Sequence, residues 1–241
     1  MTSAVSRGLG RRPPTDDLHK IKYPLTAATM PTTPVPVCCG TNWYSGFDTP
    51  EQRNDGYWLP EFSSGAWGRV RGGHEWCLKP PSMVDSTSWW QKLDQGEEGA
   101  CVGFALTRMM MLLNRKTFNP HWLYAQAKLV DEWPGEDYDG TSGRAGCDVL
   151  RDLGHVLWRG DRVFAPVLDF GISANRWASS VEEIALCLDP TYNGQRIMKL
   201  GYVTLLNSWG RSYPHYTKVS LDTLDRLVFR ENGDATLVTD R

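Results

Sequence analysis

The chain has 241 residues, 41% hydrophobic and 22% charged, with a formal net charge of −2. That length covers one domain of two lobes, or two small domains, with a sizeable core. The near-neutral balance carries no polyelectrolyte signature, so nucleic acid and anionic membrane surfaces are not expected partners, and a peptide-like or small ligand fits better.

The opening "MTSAVSRGLGRRPPTDD" has basic residues but no apolar run behind them, and no later run reaches the length that spans a bilayer. A cytoplasmic location is the expectation. Residues 1 to about 34 hold Pro13, Pro14, Pro24, Pro31 and Pro34, which block regular helix and central strand and predict an extended arm. "VPVCCGTNWYSG", from Val35, is β-branched, cysteine-rich and aromatic and predicts a buried strand. A polar loop follows, and "HEWCL", from His74, predicts a second short strand.

Past Pro80 and Pro81 the pattern turns helical. Cys101 to about Leu113 is apolar on nearly every face, which predicts a central helix buried all round. A second helix starts with Asn119 as N-cap and Pro120 at its first position and stops before Pro134. A third runs from about Ser142 to Leu153 and ends at Gly154, and a fourth, "SSVEEIALCL", carries a capping-box pattern from Ser180 to Glu183. From Gln195 strands return: "QRIMKL", a break at Gly201, then "YVTLLN". "SLDTLDRLVF" reads as a short amphipathic helix, and Asn232–Gly233 turns into a last strand, "ATLV". The order β, α-rich, β describes an α+β fold with separate helical and β lobes.

The six cysteines (Cys38, Cys39, Cys77, Cys101, Cys147, Cys187) have no repeated CxxC spacing, which argues against a disulfide framework and a zinc ribbon. Position singles out Cys101: a polar, glycine-rich run leads up to it and the apolar helix follows. A helix N-terminus offers unpaired N–H groups and partial positive charge, which favour a thiolate. Six residues upstream, the Gln95 amide can serve the same oxyanion as the Cys101 N–H, with Gly96 and Gly99 letting the backbone curl closely around a carbonyl. Downstream, "LLNSWG" sets Asn207 at a strand end, where its amide can hold an imidazole while Trp209 shields the bond from water.

These segments carry a family resemblance. "QGEEGACVGFA" resembles the active-site segment of the papain-like cysteine peptidases, with the same spacing of six from oxyanion-hole glutamine to nucleophile. "NSWG" matches that family's asparagine motif letter for letter, and "RGGHEWCL" is similar to its histidine motif. "ACVG" departs from the usual aromatic after the nucleophile. The resemblance implies a papain-like two-lobe fold, with a helical lobe over about 85–165 and an antiparallel β lobe over about 35–78 plus 166–241. It implies a thiol hydrolase cleaving peptide or isopeptide bonds through a Cys101 thioester, with Cys101, His74 and Asn207 as triad and Gln95 as oxyanion donor. Gly73, Gly99 and Trp209 would support the site, with no cofactor or metal, and with a peptide or protein as substrate. The alternative is a non-catalytic module of the same fold that binds a peptide or protein partner.

The chain order departs from the family's Cys, His, Asn. Between Cys101 and Asn207 stand only His121 and His155, both read as structural; His215 follows in a loop, and His19 lies in the arm. Asn207 is 106 residues after Cys101, short of the roughly 130–150 of papain-type signatures. Reinserting residues 35–78 after Leu188 restores about 150 for Asn207 and about 126 for His74. The expectation is therefore a transposed segment whose His74 faces Cys101 across the groove between the lobes, with Asn207 on its other ring nitrogen and Trp209 over the contact.

Other features read more simply. Cys38, Cys39, His74 and Cys77 could form a soft metal set, but adjacent strand residues point to opposite faces. The acidic run Asp131–Gly140 lacks EF-hand spacing and reads as a solvated loop between helices, or as a lining of the cleft. Met109, Met110 and Met111 read as core filler, and Trp43, Trp58 and Trp67 as packing or subsites.

Overall fold

The computed structural model describes residues 31–83, 93–133, 135–159, 162–163 and 165–240. The greater part of the expected arm, including His19, lies outside the described residues, as does the start of the helical region near residue 85. Ten strands and six α-helices are formed among the described residues, a mixed α+β architecture. Eight strands make one sheet and two make a small separate ladder.

The centre of the large sheet is built from the segment around the paired cysteines. Strand β1 (Val37–Tyr44) is sandwiched between β4 (Val70–Lys79) and β10 (Asp234–Asp240), antiparallel to both. Both faces of β1 are covered, which explains an unbroken apolar run where a one-sided strand would alternate. The Cys38 thiol donates to the Ala105 carbonyl of the central helix, and its neighbour Cys39, also buried, points to the opposite face.

The loop between β1 and β4 is more structured than its polarity suggests. It holds a hairpin, β2 (Glu51–Arg53) with β3 (Gly56–Trp58), and β3 continues the sheet by pairing in parallel with β9 (Tyr216–Ser220). The sheet is thus not wholly antiparallel. Beyond β9 come β8 (Tyr202–Leu206) and then β4; at the other end β7 (Ala174–Trp177) flanks β10. The short pair is β5 (Trp158–Arg159) and β6 (Arg162–Val163).

Helix α1 (Cys101–Asn114) packs on β4 and β1, and every residue from Val102 to Leu113 is buried. Each large side chain buried there contributes about 1.5–3 kcal/mol. Helices α2 (Pro120–Val130) and α3 (Gly143–Asp152) cover its other side. Their N-caps are local: the side chains of Asn119 and Ser142 accept the N–H groups of Trp122 and Ala145. In α4 (Val181–Leu188) Ser180 caps the Glu183 N–H, while the Glu183 carboxylate reaches back to Ser179 and to Arg176 rather than to Ser180.

One predicted strand is a helix. "QRIMKL" forms α5 (Gln195–Leu200), bracketed by Gly194 and Gly201 at φ +69° and +74°. Gly201 is the left-handed C-cap, only Ile197 is buried, and five of the six residues are strong helix formers, so a short anchored helix wins over a strand that has no neighbour to pair with. The amphipathic segment near the end forms α6 (Leu221–Asp225), continued by a π-helical turn over Arg226–Arg230. Among the described residues no helix is long and apolar enough to cross a membrane.

Candidate active site

Two antiparallel strands bring the histidine and the asparagine together. The β4–β8 ladder stops at Cys77↔Leu206. Continued three residues further, that register sets Trp209 opposite His74, and the two rings stack at 4.7 Å with their planes 25° apart. Trp43 meets His74 edge-on from β1 at 4.9 Å, so the imidazole is walled by indoles and only 6% exposed.

The hydrogen bonds define which ring nitrogen carries the proton. Asn207 Oδ1 accepts the Ser208 backbone N–H at 2.7 Å, and a backbone N–H only donates, so the atom facing it is the oxygen. The same Oδ1 lies 3.3 Å from His74 Nε2, which must therefore carry the proton. In the neutral ring Nδ1 then holds the lone pair. Burial pushes His74 down to about 4, against an opposing effect of the Asn207 contact, so the ring rests neutral.

Cys101 is the first residue of α1, and Ala100 before it caps the helix with no side-chain bond. The first N–H groups of the helix thus keep their capacity for an oxyanion. The backbone N–H of Glu75, the residue next to His74 and beyond the end of the β4–β8 ladder, is near enough to the Cys101 sulfur to favour its thiolate. Cys101 is partly exposed, yet packing around the sulfur pushes its thiol up to about 11, with the Glu75 carboxylate adding to the rise and the Glu75 N–H opposing it. Alone, such a thiol is a poor nucleophile near neutrality.

Gln95 is held at both ends of its amide. Ser208 Oγ donates to Oε1 at 2.5 Å, and Nε2 donates one hydrogen to the Glu98 carbonyl at 3.0 Å, leaving the second. The backbone adds a clamp: Gln95 N–H to Ser208 carbonyl at 2.8 Å, an isolated Asp94↔Trp209 bridge, and Gly210 N–H to Leu93 carbonyl. A side chain at Gly210, φ +58°, would strike the Asp94 carboxylate, which accounts for the glycine that closes "NSWG". The roles of Ser208, Gly210 and Asp94 were not foreseen from sequence; the only signal for them was their place beside Asn207 and Gln95.

The supporting glycines differ. Gly73 is exposed and a Cβ there would meet nothing, so packing does not require a glycine at that position. Gly99 is packed against Asp139, where a Cβ would fall 2.6 Å from the Asp139 carbonyl. The other described histidines lie elsewhere: His121 pairs with Glu98 at 3.0 Å, His155 with Thr107, and His215 lies against the Tyr216 ring. Of the three tryptophans, Trp43 belongs to the site, while Trp67 packs on Tyr44 and Phe47, and Trp58 on Tyr202. Among the described residues no group of three or more His, Cys, Asp or Glu is placed to hold a metal ion.

No family model, no curated protein and no solved structure matches this chain.

Proposed function

We propose that the chain is a thiol-dependent acyl hydrolase of papain-like type, cleaving peptide or isopeptide bonds, with Cys101 as nucleophile, His74 as base, Asn207 as the group that orients the base, and Gln95 as oxyanion donor. The observation that carries this reading is the fixed tautomer of His74: Asn207 Oδ1 accepts the Nε2–H and leaves a lone pair on Nδ1, while the backbone N–H of the next residue of the strand favours the Cys101 thiolate. A base with that tautomer can accept the thiol proton, after which the sulfur attacks a carbonyl carbon. The carbonyl oxygen gains the charge and meets the Cys101 N–H and the second Gln95 hydrogen. The imidazolium returns its proton to the leaving amine, and water then hydrolyses the thioester.

The papain-like reading, with a helical lobe and a β lobe, is also supported by how the out-of-order segment is seated. Val35 N–H donates to the Cys187 carbonyl at 2.9 Å, so residue 35 abuts the end of α4, where the block 35–78 would begin if it followed Leu188. Strand pairing depends on neighbours in space, and β4 joins β8 regardless of the order in which the chain visits them.

Burial that keeps both Cys101 and His74 neutral favours a second reading, a peptide-binding module without turnover. A proton passed between the two makes both charges at once, and their attraction offsets the desolvation of each. Labelling of Cys101 at pH 6 by an iodoacetamide or epoxide probe separates the readings: rapid labelling with peptide turnover is expected, and a Cys101 inert at that pH would leave the binding module.

A further inference from the structure

We propose that Asp139 is a positioning residue for Gln95, acting through the single peptide unit that joins Glu98 to Gly99; this rests on the reading of Cys101 as nucleophile. The acidic run Asp131–Gly140 is a loop between α2 and α3, and it is anchored. Asp131, 7% exposed, accepts the Trp133 N–H and the Thr141 hydroxyl at 3.1 and 3.0 Å. The Lys128 ammonium reaches the Tyr138 carbonyl and lies 5.4 Å from that ring, which also meets Trp133 at 5.5 Å. The loop therefore delivers Asp139 to a defined place, the backbone two residues before Cys101.

There Asp139 Oδ1 accepts the Gly99 N–H at 2.9 Å, across 40 residues of sequence. Gly99 tolerates no side chain, since a Cβ would lie 2.6 Å from both Oδ1 and the carbonyl oxygen of Asp139. The Gly99 N–H and the Glu98 carbonyl belong to one planar, trans peptide and point in opposite directions. One end of that plane is held by Asp139 and the other accepts Gln95 Nε2 at 3.0 Å. Fixing the N–H fixes the carbonyl, and donation to a carboxylate strengthens that carbonyl as an acceptor. Without Asp139 the plane is free to turn, and the Glu98 carbonyl no longer holds the donor amide.

The test compares Asp139→Ala and Asp139→Asn in the full chain, with turnover of a peptide substrate measured as kcat and KM separately. Asp139→Ala should lower kcat about 10-fold, below the ~10²–10³ for loss of the donor itself, with KM changed less than about twofold. Asp139→Asn retains an Oδ1 acceptor and should restore kcat to within about threefold of the unmodified chain. In a Gln95→Ala background Asp139→Ala should add little, because the group it positions is gone. Unchanged kcat in Asp139→Ala, an equal loss with and without Gln95, or an Asn variant as slow as the Ala variant would each overturn the proposal. An unmodified chain with neither turnover nor Cys101 labelling would overturn the nucleophile reading and this inference with it; turnover indifferent to Asp139 removes this inference alone.

Discussion

His74 and His155 occupy two regions that are alike in every coarse respect. Both are nearly fully buried, at 6% and 0% exposure, and both stack on an aromatic ring, Trp209 at 4.7 Å and Phe118 at 4.9 Å. Burial pushes both down, to about 4 and about 3. They differ in their hydrogen bonds. His155 Nδ1 accepts the Val156 N–H at 2.9 Å, so its Nε2–H donates to the Thr107 hydroxyl at 2.8 Å, and both nitrogens are consumed. His74 gives one nitrogen to Asn207 and keeps a lone pair on the strand that meets Cys101. A depressed pKa in a buried ring is thus no mark of chemistry by itself; what separates the two rings is how their nitrogens are bonded.

The largest expected effect follows from that difference. His74→Ala should cut peptide turnover by at least about 10³–10⁴-fold, and labelling of Cys101 should vanish at pH 6 and return only as pH rises toward about 11. His155→Ala should leave kcat per folded molecule within about twofold. If His155 mattered equally to turnover, the comparison would break.

Next in size is the donor. Gln95→Ala should lower kcat roughly 10²–10³-fold with KM little changed, read from steady-state kinetics on a peptide substrate. Full turnover there would remove the oxyanion assignment while leaving the Cys101–His74 pairing intact.

Stability should rank the two histidines the other way. His155→Ala orphans the buried Thr107 hydroxyl and Val156 N–H and should cost about 2–4 kcal/mol in urea unfolding, more than His74→Ala. Equal losses would mean that the satisfied hydrogen bonds of His155 carry no special weight.

The smallest effect is a pH slope. Both folded values lie below the ordinary 6.5, so as pH falls below 6.5 the unfolded chain takes up protons that the folded chain refuses. Stability is present in full above 6.5 and is lost toward about 4 for His74 and about 3 for His155, at up to about 1.4 kcal/mol per pH unit for each. Replacing either histidine by Gln should remove its share of that slope between pH 6 and pH 5. A slope unchanged in both variants would deny that either ring is held neutral.

Local chemistry was legible wherever a signal is carried by neighbours in sequence. The caps at Asn119, Ser142 and Ser180 and the apolar helix after Cys101 could be read directly, because capping bonds close within three residues and a helix buried all round needs no phase. The spacing of Gln95 from Cys101 and the letters around Asn207 likewise lie within short stretches, and the structure brings the Gln95 and Asn207 segments together. Where local preference is balanced, as in Gln195–Leu200, the absence of a strand neighbour decided the outcome, and "QRIMKL" became a helix.

What the sequence by itself determined is therefore the inventory: a thiol at a helix start, an amide donor six residues before it, an asparagine–tryptophan strand end and a glycine-flanked histidine. Only the tertiary structure decided which nitrogen of the His74 ring faces Asn207, and that Ser208, Gly210 and Asp139 bond or pack against the parts beside it. The reason is range. These contacts join residues 133, 113 and 40 positions apart through sheet register and loop docking, and neither quantity is written in any local pattern.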